Sequence, residues 1–332
     1  MRKILPEPMT SFALEDISII PKIERRSVSD SKLSLSTQLT RRINIDYPFV
    51  ASPMDCVINY EMASCMGRYG LVPIFYICEK NQAQVYDIIK KISSKRDIIF
   101  GIAAPTSVDF FRKVLKKDIF DKCAVVALDT LHSKPYNHLY TIEYLRKHYN
   151  HIDIISGNIT NGQDCLKVIN CGVDAVRVGM TSNSVNRGYE ITGCGRQQAK
   201  AIYECAEIAD KYNVPVIADG GIKDVSDIAK AIALGASSVM MGKMFAAMDE
   251  SPCRIMERDG VKYKEYRGMS REDVIDSCMF PEGSVIYVKS KGKFDAVITE
   301  WIRRIKISVV RSGNCSLTEM RKNCTLEYYL RR

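Results

Sequence analysis

Short, nearly continuous apolar runs recur along this chain at a regular spacing, and that recurrence constrains the fold more than any other feature. The runs occupy residues 48–53, 71–76, 97–103, 123–129, 152–158, 174–179, 214–219 and 237–242. Each is rich in Val and Ile, the pattern of strands buried on both faces, as in a parallel sheet. Helical periodicity fills the gaps. Residues 191–213 carry Ala199, Ile202, Tyr203, Ala206 and Ala209 at helical spacing, and residues 225–234 carry Ile228, Ala231 and Ile232. Strand starts lie 22 to 29 residues apart, with one interval of 40 between the sixth and seventh. Eight strand–helix units at that spacing predict a single (β/α)8 TIM barrel, and a core spanning about 48–311 fits the ~250 residues usual for one. A doubly wound open sheet is the competing fold, but no Gly-x-Gly-x-x-Gly follows the first strand. Residues 1–47 then form an N-terminal segment and 312–332 a basic C-terminal tail.

Composition narrows the class. With 46% hydrophobic and 26% charged residues, the chain has the apolar content that disorder lacks. No run of ~18 uncharged apolar residues occurs, so no membrane span is expected. The N-terminus is charged and has no apolar stretch, unlike a secretory signal. Twelve cysteines are scattered without Cys-x-x-Cys pairs or zinc-type Cys/His spacing. They read as free thiols in a reducing compartment, which implies a cytoplasmic location and no metal site. The net charge is +9, and residues 301–332 hold eight basic residues against Glu319 and Glu327, so the tail carries +6 of it. Stacking aromatics are not interleaved there, so the tail reads as a solvated helix face plus a basic terminus, not a nucleic-acid surface.

Barrel enzymes place their chemistry at the C-terminal ends of the strands. Asp129, Asn158, Gly179, Asp219 and Gly242 fall at such ends, and the loop 180–195 and the insertion 249–293 are where specificity should reside. Asp219-Gly220-Gly221 and Met241-Gly242 close the seventh and eighth strands. Glycines there let backbone N–H groups approach a phosphate, and the following helix N-terminus favours the anion. Tight turns without a ligand would use the same glycines; their presence in both turns together favours phosphate. Asp219 is placed to accept hydrogen bonds from two vicinal ribose hydroxyls, and Lys243 to add a charge-assisted contact.

At this point a family resemblance can be read. Ala51-Ser-Pro-Met-Asp55, Leu128-Asp-Thr-Leu-His132, Gly157-Asn158, Val176-Arg-Val-Gly-Met180 and Gly193-Cys-Gly-Arg-Gln-Gln198 carry it. So do Pro215-Val-Ile-Ala-Asp-Gly-Gly221, Met240-Met-Gly242, Arg258-Asp-Gly-Val-Lys-Tyr263, Tyr266-Arg-Gly-Met269 and Pro281-Glu-Gly283. From about Phe12 to Gly292 the chain resembles the IMP dehydrogenase/GMP reductase family of purine-nucleotide oxidoreductases, which use NAD or NADP. The resemblance implies that Ser52, Met54, Asn158, Ser184, Asp219, Gly221, Gly242, Tyr266, Gly268 and Met269 hold a purine nucleoside monophosphate. It also implies that Asp129, His132 and Gly179 face the nicotinamide cofactor, and that the chain forms a homo-oligomer, a tetramer.

The departures from the family pattern are as informative. Where the family carries Gly-Ser-Gly-Ser-(Ile/Val)-Cys-Thr-Thr, this chain reads Thr181-Ser-Asn-Ser-Val-Asn-Arg-Gly188. Asn186 replaces the cysteine nucleophile. A thiolate is nucleophilic and readily formed, whereas an amide is neither, so a covalent intermediate cannot form at this position. Gly188 replaces the threonine that works with the acidic residue matched by Glu282, which is retained. Thr181 and Asn183 replace two glycines of the family's potassium site, which argues against that ion here. Cys194 matches a non-nucleophilic position and is expected to pack at a helix start. The regulatory repeats between strands two and three are absent, and only eleven residues separate Met269 from Pro281, leaving no room for the mobile flap of the dehydrogenases. The terminal apolar face of Phe294, Val297, Ile298, Trp301, Ile305 and Val309 either closes the barrel or extends an interface. Two functions follow: an oxidoreductase with altered chemistry, in which Asn186 and Glu282 act on the base, or a non-catalytic nucleotide-binding protein. An FMN-dependent barrel would share the glycine turns and would be yellow when purified.

Overall fold

Strands form at all eight expected places. They are β1 Phe49–Ala51, β2 Ile74–Tyr76, β3 Gly101–Pro105, β4 Val125–Asp129, β5 Asp153–Ile159, β6 Ala175–Val178, β7 Val216–Asp219 and β8 Ser238–Met241. The computed structural model describes residues 11–23, 33–95, 98–113, 120–129, 138–180, 185, 188–269 and 283–329. Every neighbouring pair is parallel, in the order β1-β8-β7-β6-β5-β4-β3-β2, which brings the two ends round into a nearly closed (β/α)8 barrel.

The helices between them are α1 Tyr60–Arg68, α2 Gln82–Ser93, α3 Val108–Lys113, α4 His138–His148, α5 Gly162–Asn170, α6 Gln198–Ala209, α7 Val225–Leu234 and α8 Phe294–Arg311. Helix α6 begins seven residues after the start its periodicity predicts, because Gly193 takes a positive φ of 70° and interrupts the run. Cys194 therefore lies exposed ahead of the helix and does not pack at its start. Helix α7 is bounded by side-chain chemistry. Asp224 accepts the Ser226 N–H at its N-terminus, and Gly235 ends it at φ 120°.

Alternation along the strands divides the apolar residues into two cores. Val50, Ile74, Ala103, Val125, Ala127, Ile155, Ala175, Ile217 and Met240 fill the barrel interior. Their neighbours point outward and pack under the helices. Mixed small and large interior residues interdigitate, so the barrel is a packed core and not a pore.

The apolar face of α8 closes the barrel. Trp301 meets Phe49 and Phe245 edge to face, with ring centroids 5.4 and 5.5 Å apart, and Phe294 meets Tyr69 at 5.6 Å. The tail, expected to be solvated, is docked. Helix α9, Leu317–Asn323, buries Leu317 and Met320, and Cys324 is buried behind it. Strand Leu326–Tyr328 pairs antiparallel with Ile17–Ile19, and Arg321 reaches Ser237 Oγ (2.7 Å) and Asp210 (2.5 Å). Counting charges overlooked the apolar stripe at helical spacing. After β8, the strands β9 Ile255–Arg258, β10 Val261–Arg267 and β11 Val285–Lys289 form an antiparallel sheet. No helix among the described residues is long and apolar enough to cross a membrane.

Candidate active site

Strand alternation sets the upper layer of the barrel. Ala127, Ala175 and Ile217 point inward, so Asp129, Arg177 and Asp219, two residues further along β4, β6 and β7, point inward as well. Between β4 and β6, Gly157 stands in register with both Asp129 and Arg177. A Cβ at Gly157 would overlap the Arg177 carbonyl oxygen and come within 2.6 Å of the Arg177 Cβ. Glycine leaves the space across which the guanidinium reaches Asp129, 3.2 Å away. The same guanidinium lies 3.6 Å from Asp219 and donates to the Gly157 carbonyl at 3.4 Å.

Arg177 has 3% of its side-chain surface exposed, whereas Asp129 keeps 11% and Asp219 18%, so the acids rim the opening and the cation lies beneath. Asn158 Nδ2 donates to Asp219 (2.9 Å) and to the Gly179 carbonyl (2.7 Å). Burial raises the Asp219 pKa; Arg177 and Asn158 pull it back, and Asp129 pushes it further up. Gln198, the first residue of α6, donates to the carbonyls of Val178 (2.9 Å) and Asp219 (3.1 Å), anchoring the ends of β6 and β7. Gly179, at φ 140°, is tightly packed: a Cβ there would lie 2.7 Å from Gln198 Nε2.

The glycines after β7 and β8 line the adjacent rim. Gly220 and Gly221 adopt φ of 89° and 74°, a region that side chains disfavour. A Cβ at Gly242 would overlap the Tyr266 hydroxyl and approach Met54 Sδ to 3.4 Å. Tyr266 Oη itself lies 3.5 Å from Met54 Sδ, and burial holds its pKa above the usual tyrosine value. The backbone N–H of Ser52 donates to Met241 O (3.0 Å), joining the β1 and β8 ends. Met269 caps the interior core, and Lys243 is exposed at the start of the short helix Lys243–Ala246.

The loop after β6 leaves and returns through one neck. Arg196 N donates to Met180 O at 2.8 Å, and the Arg196 guanidinium is held by Glu204 at 2.6 and 2.8 Å. Beyond that neck, Ser284 N donates to Val185 O (3.0 Å) and Gly268 N to Ser284 O (2.9 Å). Gly268 is packed against both segments, since a Cβ there would overlap Val185 O and lie 2.9 Å from Gly283 Cα. The chain neighbours of Asn186 and Glu282 thus meet at Gly268. Asn186, Glu282, Ser184 and His132 lie outside the described residues, as do Thr181 and Asn183.

Ser52, Met54, Asp129, Asn158, Gly179, Asp219, Gly221, Gly242, Lys243, Tyr266, Gly268 and Met269 are all on the C-terminal side of the barrel or on the sheet above it. Arg177 and Gln198 are the organising residues that sequence reasoning passed over. Both stood in quoted motifs, but their roles emerge only from strand register. His138, at the start of α4, is a third: its Nε2 lies 2.7 Å from Ser156 Oγ, and burial, aided by Arg177, lowers its pKa to about 4.

A sequence model of the IMP dehydrogenase / GMP reductase domain matches residues 11–329. Inosine-5'-monophosphate dehydrogenase of Helicobacter pylori (strain J99) is 35% identical, over 94% of this chain and 92% of its own length. The inosine-5'-monophosphate dehydrogenase of Cryptosporidium parvum is 28% identical over 94% of this chain and 90% of its own. GMP reductase of Lactococcus lactis subsp. cremoris is 29% identical over 94% and 93%.

Proposed function

The chain belongs to the IMP dehydrogenase / GMP reductase family, and from that premise we propose that it binds a purine nucleoside monophosphate, or a modified analogue, and acts on it with NAD or NADP without a covalent intermediate. The observation that carries the reading is the layer Asp129–Arg177–Asp219, whose two partly exposed acids open beside the glycines of the β7 and β8 turns.

In this reading the backbone around Gly220, Gly221 and Gly242 holds the phosphate, with Lys243 adding charge. Asp219, fixed by Asn158 and Arg177, accepts from the ribose hydroxyls. Met54, Ser52, Ser184, Tyr266, Gly268 and Met269 enclose the nucleotide, and Tyr266 stays protonated as a hydroxyl donor because burial disfavours its anion. Asp129, held by Arg177, and Gly179 and His132 face the nicotinamide, which when bound gives or takes a hydride. Glu282 moves a proton and Asn186 orients the base through its amide. Eleven free thiols among the described residues suit a reducing compartment, so the cytoplasm is the proposed location. The proposed assembly is a homotetramer; because α8 uses its apolar face on its own barrel, the interface must be built from other surfaces.

Loss of both the nucleophile and the threonine (Asn186 and Gly188) favours a second reading, a nucleotide-binding protein without catalysis. Calorimetric titration of purine mono- and triphosphates, with and without NAD or NADP, tests the shared premise. Monophosphates are expected to bind, and to do so more tightly than triphosphates. Absence of binding by every purine monophosphate overturns both readings. Turnover of reduced nicotinamide in the bound mixture separates enzyme from binder.

A further inference from the structure

Beneath the nucleotide side of the barrel lies a pair of thiols that the proposed chemistry does not use. Cys56, in the turn after β1, and Cys253, ahead of β9, are each about 5% exposed and lie side by side. Cys253 Sγ also donates to the Cys56 carbonyl at 2.8 Å, and Cys56 Sγ to the Arg267 carbonyl at 3.4 Å. Beside them sits Lys264, 2% exposed, whose ammonium donates to two backbone carbonyls, Asp249 O (3.1 Å) and Ser251 O (3.0 Å). The other charged or titratable groups around the pair are Arg267, paired with Asp55 at 2.5 Å, and the Tyr266 hydroxyl.

A buried cation held by carbonyl dipoles favours an anion next to it, and the thiol of Cys253 is the adjacent group that can become one. The two thiols respond in opposite directions. Contact with Cys253 and burial push the Cys56 thiol up, whereas contact with Cys56, with help from Ser251, Lys264 and Arg267, brings Cys253 down against its own burial. Cys253, beside the ammonium and on the surface loop, is the partner that ionises and attacks more readily. Residues Pro252 and Arg254 on either side of Cys253 are exposed, so its loop lies at the surface although its side chain points in.

We propose that Cys56 and Cys253 form a reversible disulfide, with a low-molecular-weight disulfide of the glutathione type as oxidant. The Cys253 thiolate attacks one sulfur of the oxidant, forming a mixed disulfide and releasing one small thiolate. Cys56 gives up its proton, and its sulfur attacks the Cys253 sulfur and displaces the second small thiolate. The protein loses two electrons and two protons, and two small thiols leave. The crosslink ties the Met54–Val57 turn to the segment that enters the upper sheet, and it forms whether or not the proposed nucleotide function is right.

A second pair supplies an internal control. Cys165 and Cys205 also touch, Cys165 Sγ donating to the Cys205 carbonyl at 3.6 Å, but both are fully buried between α5 and α6, and contact with Cys165 and burial raise Cys205. The test is incubation of the native full-length chain with oxidised glutathione, alkylation, and peptide mapping without reduction. A joined Cys56–Cys253 peptide is expected, reversible by dithiothreitol, with Cys165 and Cys205 recovered unlinked. Cys56→Ser should stop at a glutathione adduct on Cys253. Lys264→Gln should slow crosslinking by about threefold for each unit by which the Cys253 pKa rises, since higher nucleophilicity offsets part of the lost thiolate. Recovery of Cys56 and Cys253 as two separate thiols in the wild-type chain, or as separate glutathione adducts, would overturn the proposal.

Discussion

Two arginines are held at opposite ends of one barrel, and they do different work. Arg177 lies under the C-terminal rim between Asp129 and Asp219, two acids that both keep some contact with solvent. Arg321 lies at the N-terminal end between Asp210 and Ser237, on a helix that packs against α7 in the outer layer. At the top, one cation faces two carboxylates, which leaves negative charge and acceptor capacity for a ligand. At the bottom, the donors find their acceptors within the chain. The N-terminal end of a barrel serves stability, and the C-terminal end carries the site. The single-residue changes below probe that division.

The largest effect is expected at Arg177. Arg177→Met leaves two largely enclosed acids without their buried cation and should cost about 3–5 kcal/mol in urea unfolding, the range for breaking a buried ion pair. Adding Asp129→Asn to the same chain should recover part of the loss. A single variant as stable as wild type would break the comparison, because Arg177 would then not hold the layer together.

His138 comes next and is read through pH. Its folded pKa of about 4 lies below the ordinary 6.5, so the unfolded chain binds the extra proton. Its stabilising contribution is therefore present above about pH 6.5 and is lost as pH falls toward 4, to a total on the order of 3 kcal/mol. Asp219 runs the other way, since its raised folded pKa makes the native state take up protons first as pH falls. Chemical denaturation from pH 7 to pH 4 with wild type and His138→Gln separates them. The variant should lose most of the acid-side destabilisation, and an unchanged profile would remove His138 from the account.

Asp219→Asn sharpens the comparison by leaving the fold intact while weakening the ligand. Loss of charge-assisted acceptance from ribose hydroxyls should weaken monophosphate binding by on the order of 100-fold, about 2–3 kcal/mol, in calorimetry. The thermal midpoint should stay close to wild type. Arg321→Ala gives the smallest and mirror-image result, a stability loss of about 1–3 kcal/mol from unpaired buried partners with unchanged nucleotide affinity. If Arg321→Ala weakened the nucleotide as much as Asp219→Asn, the two ends would not be separable.

The same contrast explains what could be read from sequence. The eight strands and the glycine turns were legible because two-faced burial and positive φ leave local signatures: Val and Ile in short runs, and Asp219-Gly220-Gly221 at a strand end. Arg177 stood inside a quoted motif without a role, because its partners are fixed by the register of β4, β5 and β6 and by the missing side chain of Gly157. Arg321 was counted as surface charge because Asp210 is over a hundred residues away in sequence. Cys194 was expected to pack at a helix start, but Gly193 delays α6 to Gln198. The replacement at position 186 was visible only as a departure from a pattern, since no local physics marks an asparagine that stands where a cysteine would act.

The consequence of that replacement is that no covalent bond to the purine forms at position 186. Intact-mass spectrometry of the wild-type chain, after incubation with IMP plus NAD and separately with GMP plus NADPH, measures it directly. The expected result is the unmodified mass in both mixtures, because Asn186 cannot form a bond to the purine. A purine-sized adduct on any cysteine, the exposed Cys194 included, would contradict it.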